Sequence, residues 1–224
     1  MAREARGDLG PRDRLQRGSA ALGIALDDDA LDALEGYLAE LVTWNERVNL
    51  VGEHDAATLV DRHLVDALAA APILAALGYG LRVADLGAGA GLPGIPLAIT
   101  LRPRDMALVE PRQKRASFLR AAARRLPGYA LRVVQGRAED LATLEPGAFD
   151  AVVSRAALPE HELLAAAAVL LRPAGLVVAY RGSDVPPVLA AHDFAPPETI
   201  GYRLPGARRS FQLIVRRRLV SRET

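Results

Sequence analysis

The sequence predicts an α/β fold with a mostly parallel sheet, preceded by a helical N-terminal region. From Leu81 onward, short apolar runs alternate with helical stretches, which is typical of βαβ units. A glycine-rich loop directly follows the first of these runs. Upstream, apolar residues recur at helical spacing, which indicates amphipathic helices in front of the sheet.

Composition limits the functions that the chain can perform. Half of the 224 residues are hydrophobic, enough for one buried core. A net charge of +1 does not indicate a strongly basic nucleic-acid binder, so any RNA site must come from uneven charge distribution. Cysteine is absent, which excludes disulfides and cysteine nucleophiles, and the four histidines make a metal site improbable. The lack of a membrane-length apolar run and of a signal segment predicts a soluble, cytoplasmic protein.

We expect residues 1–25 to form a disordered basic arm, because the arginines there lie among Gly, Pro and Asp without an apolar period. Residues 26–78 are predicted to be a helical region. One helix follows the acidic run at 27–29 and ends near Trp44 and Asn45; a second runs from about Asp55 toward Pro72.

Residues 79–220 are predicted to hold the sheet. The apolar runs with strand character lie at 81–85, 106–110, 131–135, 149–153 and 175–180. The turn-like Pro205 and Gly206 separate a strand near 202–204 from one at 211–215, which favours an antiparallel hairpin at the sheet edge.

The glycine loop runs from Asp85 through Gly87, Gly89 and Gly91 to Gly94, between the first strand and a helix. Open α/β sheets bind nucleotides at this position. The spacing also satisfies the GxGxxG pattern of NAD-binding proteins, with Glu110 placed as a ribose ligand would be. Asp85 favours S-adenosylmethionine instead, because a carboxylate at this strand end can accept hydrogen bonds from its ammonium and ribose hydroxyl groups.

Two further acidic positions extend this interpretation. Glu110 ends the second strand, where a carboxylate commonly holds a ribose diol, although a helix-capping acid would look similar. Arg137, Ala138 and Glu139 follow the third strand, where the adenine edge is expected; a solvated charged turn is nearly as plausible.

The remaining motifs narrow the reaction. The fourth strand ends in Ser154 and Arg155, without the Pro-Pro-Tyr pattern that holds an exocyclic amine. Without cysteine, covalent attack on a pyrimidine is also excluded. An acceptor with its own lone pair, such as guanine N7, needs alignment and no general base. Arg155 could hold a carboxylate or a phosphate, and a buried ion pair is the alternative.

Several residues are candidates for RNA contact. The helix after Glu110 carries Arg112, Lys114 and Arg115, which could follow phosphates or form an ordinary solvated face. Trp44 could stack on a splayed base, although an aromatic residue closing an amphipathic helix more often lies in a core. His63 and Asp66, three apart on one helix face, more plausibly share a local hydrogen bond than a metal.

Taken together, these motifs resemble the bacterial 16S ribosomal RNA guanine-N7 methyltransferases, the RsmG (formerly GidB) family. The resemblance covers roughly residues 30–218. It is carried by the sequence blocks at 44–50, 62–66, 85–97, 114–119, 137–139 and 154–156, of which the block from Asp85 to Leu97 is the most specific.

The resemblance implies a class I S-adenosylmethionine methyltransferase fold, Rossmann-like and seven-stranded with an antiparallel edge strand. It implies cofactor contacts at Gly87, Leu92, Ala138, Glu139 and Arg155. It also implies one target guanine in small-subunit RNA. Val51, Ala67 and Arg181 depart from the usual family pattern, which bears on RNA contacts more than on the cofactor.

The sequence as a whole therefore predicts a monomeric, cytoplasmic enzyme that transfers a methyl group from S-adenosylmethionine to guanine N7 of 16S RNA. The predicted cofactor site comprises Asp85, Gly87, Gly89, Gly91, Leu92, Glu110, Ala138, Glu139 and Arg155. The RNA-binding candidates are Trp44, Asn45, Arg112, Lys114, Arg115 and Arg137, and the positioning candidates are Arg155, Lys114 and Arg181. An NAD-dependent oxidoreductase and a non-catalytic ribosome-assembly protein are the alternatives.

Overall fold

The computed structural model describes residues 9–155, 157–182 and 191–220. The first eight residues of the predicted arm and Ala156 lie outside the described residues.

One seven-stranded sheet forms the centre of the molecule, in the order β3-β2-β1-β4-β5-β7-β6. Strands β1 to β5 are parallel, whereas β7 runs antiparallel between β5 and β6, with β6 at the edge. The predicted mostly parallel sheet with an antiparallel hairpin at one edge is thus confirmed. The strand bounds are β1 Arg82–Leu86, β2 Asp105–Val109, β3 Leu131–Val134, β4 Phe149–Arg155, β5 Leu171–Arg181, β6 Glu198–Tyr202 and β7 Phe211–Arg217.

Helices precede the sheet and connect its parallel strands. The first five are α1 Pro11–Ala21, α2 Asp28–Val48, α3 Ala56–Leu59, α4 Val65–Leu68 and α5 Ala71–Ala75, with a π-helical turn at Val60–Leu64 between α3 and α4. The connecting helices are α6 Gly94–Leu101, α7 Gln113–Arg125, α8 Ala138–Leu144 and α9 Glu160–Leu170. In the described part of the chain, no helix is both long and apolar enough to cross a membrane.

Alternating strand residues build two hydrophobic layers, one on each face of the sheet. On β4, Ala151 and Val153 face a layer shared with α1 to α7, whereas Val152 faces the layer of α8 and α9. This division follows from the two-residue period of a strand, which sends successive side chains to opposite faces.

The N-terminal helices belong to the same core as the sheet. Leu15 of α1 and Leu34 of α2 are fully buried and join the cluster that holds Val83 of β1. The boundary predicted near residue 78 therefore separates helices from strands without separating two hydrophobic cores.

The prediction of disorder is wrong for residues 11–21, which form α1. A proline at the first turn favours the start of this helix. Arg12 then forms ion pairs with Asp28, Asp32 and Glu35 of α2, while Leu15 packs into the core. The apolar signal at 11–21 is short because few of its residues are buried, and this is why the sequence pattern did not reveal the helix.

Helix α2 begins as predicted and ends later. The Asp27 side chain accepts a hydrogen bond from the Ala30 N–H at 2.7 Å, a typical N-cap. The helix continues beyond Asn45 to Val48, where Asn49 takes a left-handed conformation with φ of 49°. The next helical segment begins at the predicted place, since Asp55 caps the Thr58 N–H at 2.8 Å.

The burial of Leu15 predicts that Leu15→Ala lowers the free energy of unfolding by about 2 to 5 kcal/mol, because the substitution leaves a cavity between α1 and the core. Urea denaturation measures the change. Leu144→Ala is the matched control, because Leu144 is 75% exposed and its truncation should change stability by less than about 0.5 kcal/mol. Equal effects of the two substitutions would contradict the docked position of α1.

Candidate functional site

Buried polar side chains gather at the carboxyl ends of neighbouring parallel strands. Asp85 on β1, Glu110 just after β2 and Ser154 on β4 are each at most 3% exposed. The carboxyl ends of strands in an open α/β sheet form the usual ligand crevice. This edge is therefore the candidate active site.

Asp85 combines a structural hydrogen bond with an unsatisfied oxygen. Its Oδ2 accepts the Gly94 N–H at 2.8 Å, while Oδ1 is buried without a hydrogen-bond partner among the described residues. Burial raises the pKa of Asp85 to about 7; the Gly94 N–H and the charge of Arg155 act in the opposite direction. A buried acceptor without a partner is costly, so this oxygen is suited to a donor supplied by a ligand.

Glu110 holds the loop from the second strand. Its Oε2 accepts the Gly89 N–H at 3.0 Å and its Oε1 accepts the Arg112 N–H at 2.8 Å. Each carboxylate oxygen has a further lone pair, so Glu110 can still accept hydroxyl donors. The alternative interpretation, that Glu110 caps a helix, is partly right. Arg112 is the N-cap residue of α7, and Glu110 accepts its backbone N–H.

The loop glycines serve different purposes. A Cβ on Gly87 would lie 2.2 Å from the Ala157 side chain, and its φ of +77° disfavours other residues. A Cβ on Gly91 would clash with Ile95, and one on Gly94 would clash with Leu108. Close packing therefore requires glycine at these two loop positions. At Gly89 the closest atom lies 3.6 Å away, at Arg115. Gly89 is therefore the loop position where a ligand can approach the backbone.

A tyrosine from the N-terminal region supports the loop from below, and it was not among the residues predicted for the site. The Tyr37 hydroxyl on α2 donates to the Ala90 carbonyl at 2.5 Å, and the side chain is fully buried. Tyr37 lies among the apolar positions Leu34, Leu38 and Leu41, so the helical spacing predicts that it is buried. The spacing does not predict its hydrogen-bond partner, which lies 53 residues further along the chain.

A cleft of about 340 Å³ opens beside the glycine loop. It brings together Gly87 and the predicted adenine-edge residues Ala138 and Glu139. The remaining lining residues are Val109, Pro111, Arg112, Gly136, Arg137, Leu158 and Glu162. The mainly apolar walls with a few polar groups suit a flat heterocycle.

Two other predicted cofactor residues lie away from this cleft. Leu92 is buried in the core, and Gly91 packs against Ile95 and Leu119. Both shape the loop from inside, so the structure gives them a packing role in place of direct contact with the cleft.

Arg155 forms an ion pair within the protein, which was the alternative to its predicted role in binding a carboxylate or a phosphate. Its guanidinium lies 3.0 Å from Asp66 and 3.3 Å from Nδ1 of His63, and its side chain is 18% exposed. Because arginine only donates, His63 Nδ1 must accept, which leaves Nε2 to donate to Glu53 at 2.8 Å. Burial lowers the pKa of His63, consistent with this neutral form.

Two RNA-binding candidates have structural roles. Asn45 is 2% exposed; its amide donates to the Glu53 carbonyl and accepts the Val51 N–H, which closes the turn after α2. The Trp44 ring contacts Phe118 edge-on at 5.8 Å, and its N–H donates to Glu40. Asn45 is buried and cannot reach a base, whereas Trp44 is half-buried, so its stacking on a base stays a prediction.

The cationic candidates lie on the surface at the same edge of the sheet. Arg112, Lys114 and Arg137 are exposed, and Arg115 is half-buried beside Gly89. Arg181 is half-buried at the end of β5. These five residues have no ion-pair partner among the described ranges, so the solvated-face interpretation and the phosphate-binding interpretation of this surface both remain predictions.

Solved structures with the same fold are similar over most of the chain. A mutant of MtNAS superposes with a TM-score of 0.57 at 15% identity and covers 94% of this chain and 86% of that one. TrmN from Thermus thermophilus gives a TM-score of 0.50 at 22% identity, over 71% of this chain and 53% of that one. At these identities the likeness concerns the fold alone.

Sequence relatives give a narrower match. The family model for rRNA small subunit methyltransferase G, GidB, matches residues 30–195. The ribosomal RNA small subunit methyltransferase G of Xanthomonas axonopodis is 44% identical, over 73% of this chain and 77% of that protein. The protein of the same name from Halorhodospira halophila is 37% identical, over 80% and 83%. A glycine loop held by two buried acids, joined to a match of this extent, places the chain in the rRNA small subunit methyltransferase G family.

Proposed function

We propose that this protein transfers a methyl group from S-adenosylmethionine to N7 of one guanine in 16S RNA of the small ribosomal subunit. Family membership supports the reaction and the RNA. The observation that most supports binding of the cofactor concerns Asp85. This carboxylate is fully buried beside the glycine loop, and its Oδ1 has no partner among the described residues.

The residues at the site fit the cofactor. Asp85 Oδ1 is available to the ammonium group, and Glu110 to the ribose hydroxyls. The cleft between Gly87 and Glu139 has the size and apolar lining for adenine. When bound, S-adenosylmethionine supplies an electrophilic methyl group on a positively charged sulfur.

The work of the protein in this reaction is alignment. Guanine N7 has a lone pair and no proton, so no side chain has to act as a general base. The site agrees, since Glu110 is engaged with backbone N–H groups and Arg155 is engaged with Asp66. Tyr37 and Glu110 fix the loop and so fix the direction in which the methyl group is presented.

On the RNA side, Arg112, Lys114 and Arg137 are positioned to meet phosphates next to the cofactor cleft. They follow the carboxyl ends of β2 and β3, at the edge of the sheet that carries the cofactor cleft. Phosphate contacts of this kind orient an RNA without reading its sequence.

We further propose that the protein acts as a monomer in the cytoplasm. A single chain supplies both buried acids, the glycine loop and the flanking cations, so the site does not need a residue from a second copy. Small ribosomal subunits are the substrate, and bacterial subunits are cytoplasmic.

Methyl transfer to small subunits from cells that lack this protein tests the reaction. We expect label from the cofactor's methyl group in 16S RNA, and one chain cut after borohydride and aniline treatment, which cleaves at 7-methylguanosine. Label without a cut would refute N7 as the acceptor. No label would refute the methyltransferase function on this substrate.

The pKa of Asp85 predicts how cofactor binding varies with pH. An ammonium group prefers the ionised carboxylate, and at pH 6 a group with a pKa of about 7 is mostly protonated. Affinity for S-adenosylhomocysteine should therefore rise roughly tenfold from pH 6 to pH 8, because binding must first release the proton. Isothermal titration calorimetry at both pH values measures this change.

Asp85→Asn should bind more weakly and lose this pH dependence. Glu139→Gln, an exposed acid at the same cleft, is the control and should keep the pH slope of the unaltered protein. The ligand's own titration is common to all three proteins and cancels in the comparison. An identical slope in Asp85→Asn would show that Asp85 does not receive the ammonium.

The same pKa has an effect on the ligand-free protein. Because the folded-state pKa of about 7 exceeds the ordinary value of 3.8, the folded state retains a proton that the unfolded chain loses. The contribution of Asp85 to the free energy of unfolding is therefore full below about pH 4 and lost as the pH rises through 7.

A further inference from the structure

The turn between β6 and β7, residues 203–210, forms a basic hairpin. Its cations are Arg203, Arg208 and Arg209, and all three are exposed. Residues 202–212 contain no aspartate or glutamate. In a chain with a net charge of only +1, such a segment is a local concentration of positive charge.

Strand register places the basic hairpin at the same edge of the sheet as the active site. Arg155 at the end of β4 pairs with Tyr180 of β5, and Arg181 pairs with Gln212 at the start of β7. Because β7 runs back from this edge, the turn before it must project there. Three strand spacings of about 4.8 Å separate β4 from β6, so the hairpin begins roughly 14 Å from the end of β4.

The base of the hairpin is fixed to the active site. Tyr202 and Phe211 stack at 5.8 Å, with 29° between their rings. The Tyr202 hydroxyl donates to Asp66 Oδ1 at 2.5 Å, and Asp66 Oδ2 binds Arg155. The orientation of the hairpin relative to β4 is therefore set by a buried polar chain in addition to the strand ladder.

None of the three arginines forms an ion pair or a side-chain hydrogen bond with any residue that the structure describes. By contrast, Arg12 forms ion pairs with α2, and Arg82 and Arg132 share Asp105 and Glu145. Unpaired guanidinium groups are suited to an external anion, and their planar fork matches phosphate.

We propose that the basic hairpin is a second phosphate-binding arm for the substrate RNA, separate from the surface of Arg112 and Lys114. The two cationic surfaces lie at opposite ends of one sheet edge, with the glycine loop between them. An RNA segment held at both ends would present the base between them to the site. This inference rests on the proposed function, since it takes ribosomal RNA as the substrate.

Salt dependence of binding tests the arm. The variant Arg208→Gln/Arg209→Gln removes two charges from the turn without touching a buried residue. Binding to unmethylated small subunits should become less steep in salt by about 1.4 to 1.8 in the slope of log K against log salt concentration, since each phosphate contact contributes about 0.7 to 0.9. KM for subunits should rise while kcat changes little, because the lost contacts exist in ground and transition states alike.

The charge-matched control is Arg104→Gln/Arg124→Gln. Both residues are exposed, and both lie at the opposite edge of the sheet, Arg104 just before β2 and Arg124 at the end of α7. We expect this double variant to keep the slope of the unaltered protein, and both variants to keep the affinity for S-adenosylhomocysteine. Equal losses in the two variants would show a general charge effect and overturn the arm, as would an unchanged slope in the hairpin variant.

Binding is measured without methyl transfer, so the two proposals fail separately. Subunits that bind with the predicted arginine dependence but receive no methyl group would refute the proposed reaction and retain the arm. Subunits that are methylated equally well by the hairpin variant, with an unchanged KM, would retain the reaction and refute the arm.

Discussion

The hydrogen bonds that N–H groups of the glycine loop donate to two buried carboxylates are the constraint on which the site depends. Asp85 accepts a hydrogen bond from Gly94 at the end of the loop and Glu110 accepts one from Gly89 in its middle, so the loop is tied to the ends of two strands. Neither acid is stabilised by a cation bonded to it directly within the described residues. Burial raises the pKa of Asp85 although the Gly94 N–H lowers it, and a cationic ligand would favour the ionised carboxylate. A loop held this way is ready for the ligand before it arrives.

The N-terminal helices are part of the same constraint. Tyr37 bonds to the Ala90 carbonyl in the loop, and Asp66 receives both Arg155 of β4 and Tyr202 of β6. Helices that precede the sheet in sequence therefore connect the glycine loop after β1 to β4 and to the outermost strand, β6. Removing them would expose the apolar face of α6 and α7 and would also free three polar groups at the site.

The sequence predicted the features that depend on local pattern. The positions of β1 to β5 and β7, the glycine loop and the helix starts near Asp27 and Asp55 follow from spacing and residue type, and the structure has them. The strand predicted near 202–204 instead lies at Glu198–Tyr202 as β6. The sequence could not decide the role of Arg155, because an arginine suits a buried ion pair and an anion-binding site equally well. It missed α1 because Arg12 is held by acids that lie 16 to 23 residues further along the chain. Such long-range pairings leave no period in the sequence.

The engagement of Arg155 also bears on how the enzyme treats charge. Methylation at N7 moves a positive charge from sulfur to the purine ring, so total charge at the site is unchanged during the reaction. A free arginine there would oppose this positive charge both before and after transfer, whereas an arginine paired with Asp66 opposes it less. The buried acids at β1 and β2 favour a cation both before and after transfer. Once Asp85 has lost its proton on cofactor binding, the methyl-transfer step itself needs no proton transfer.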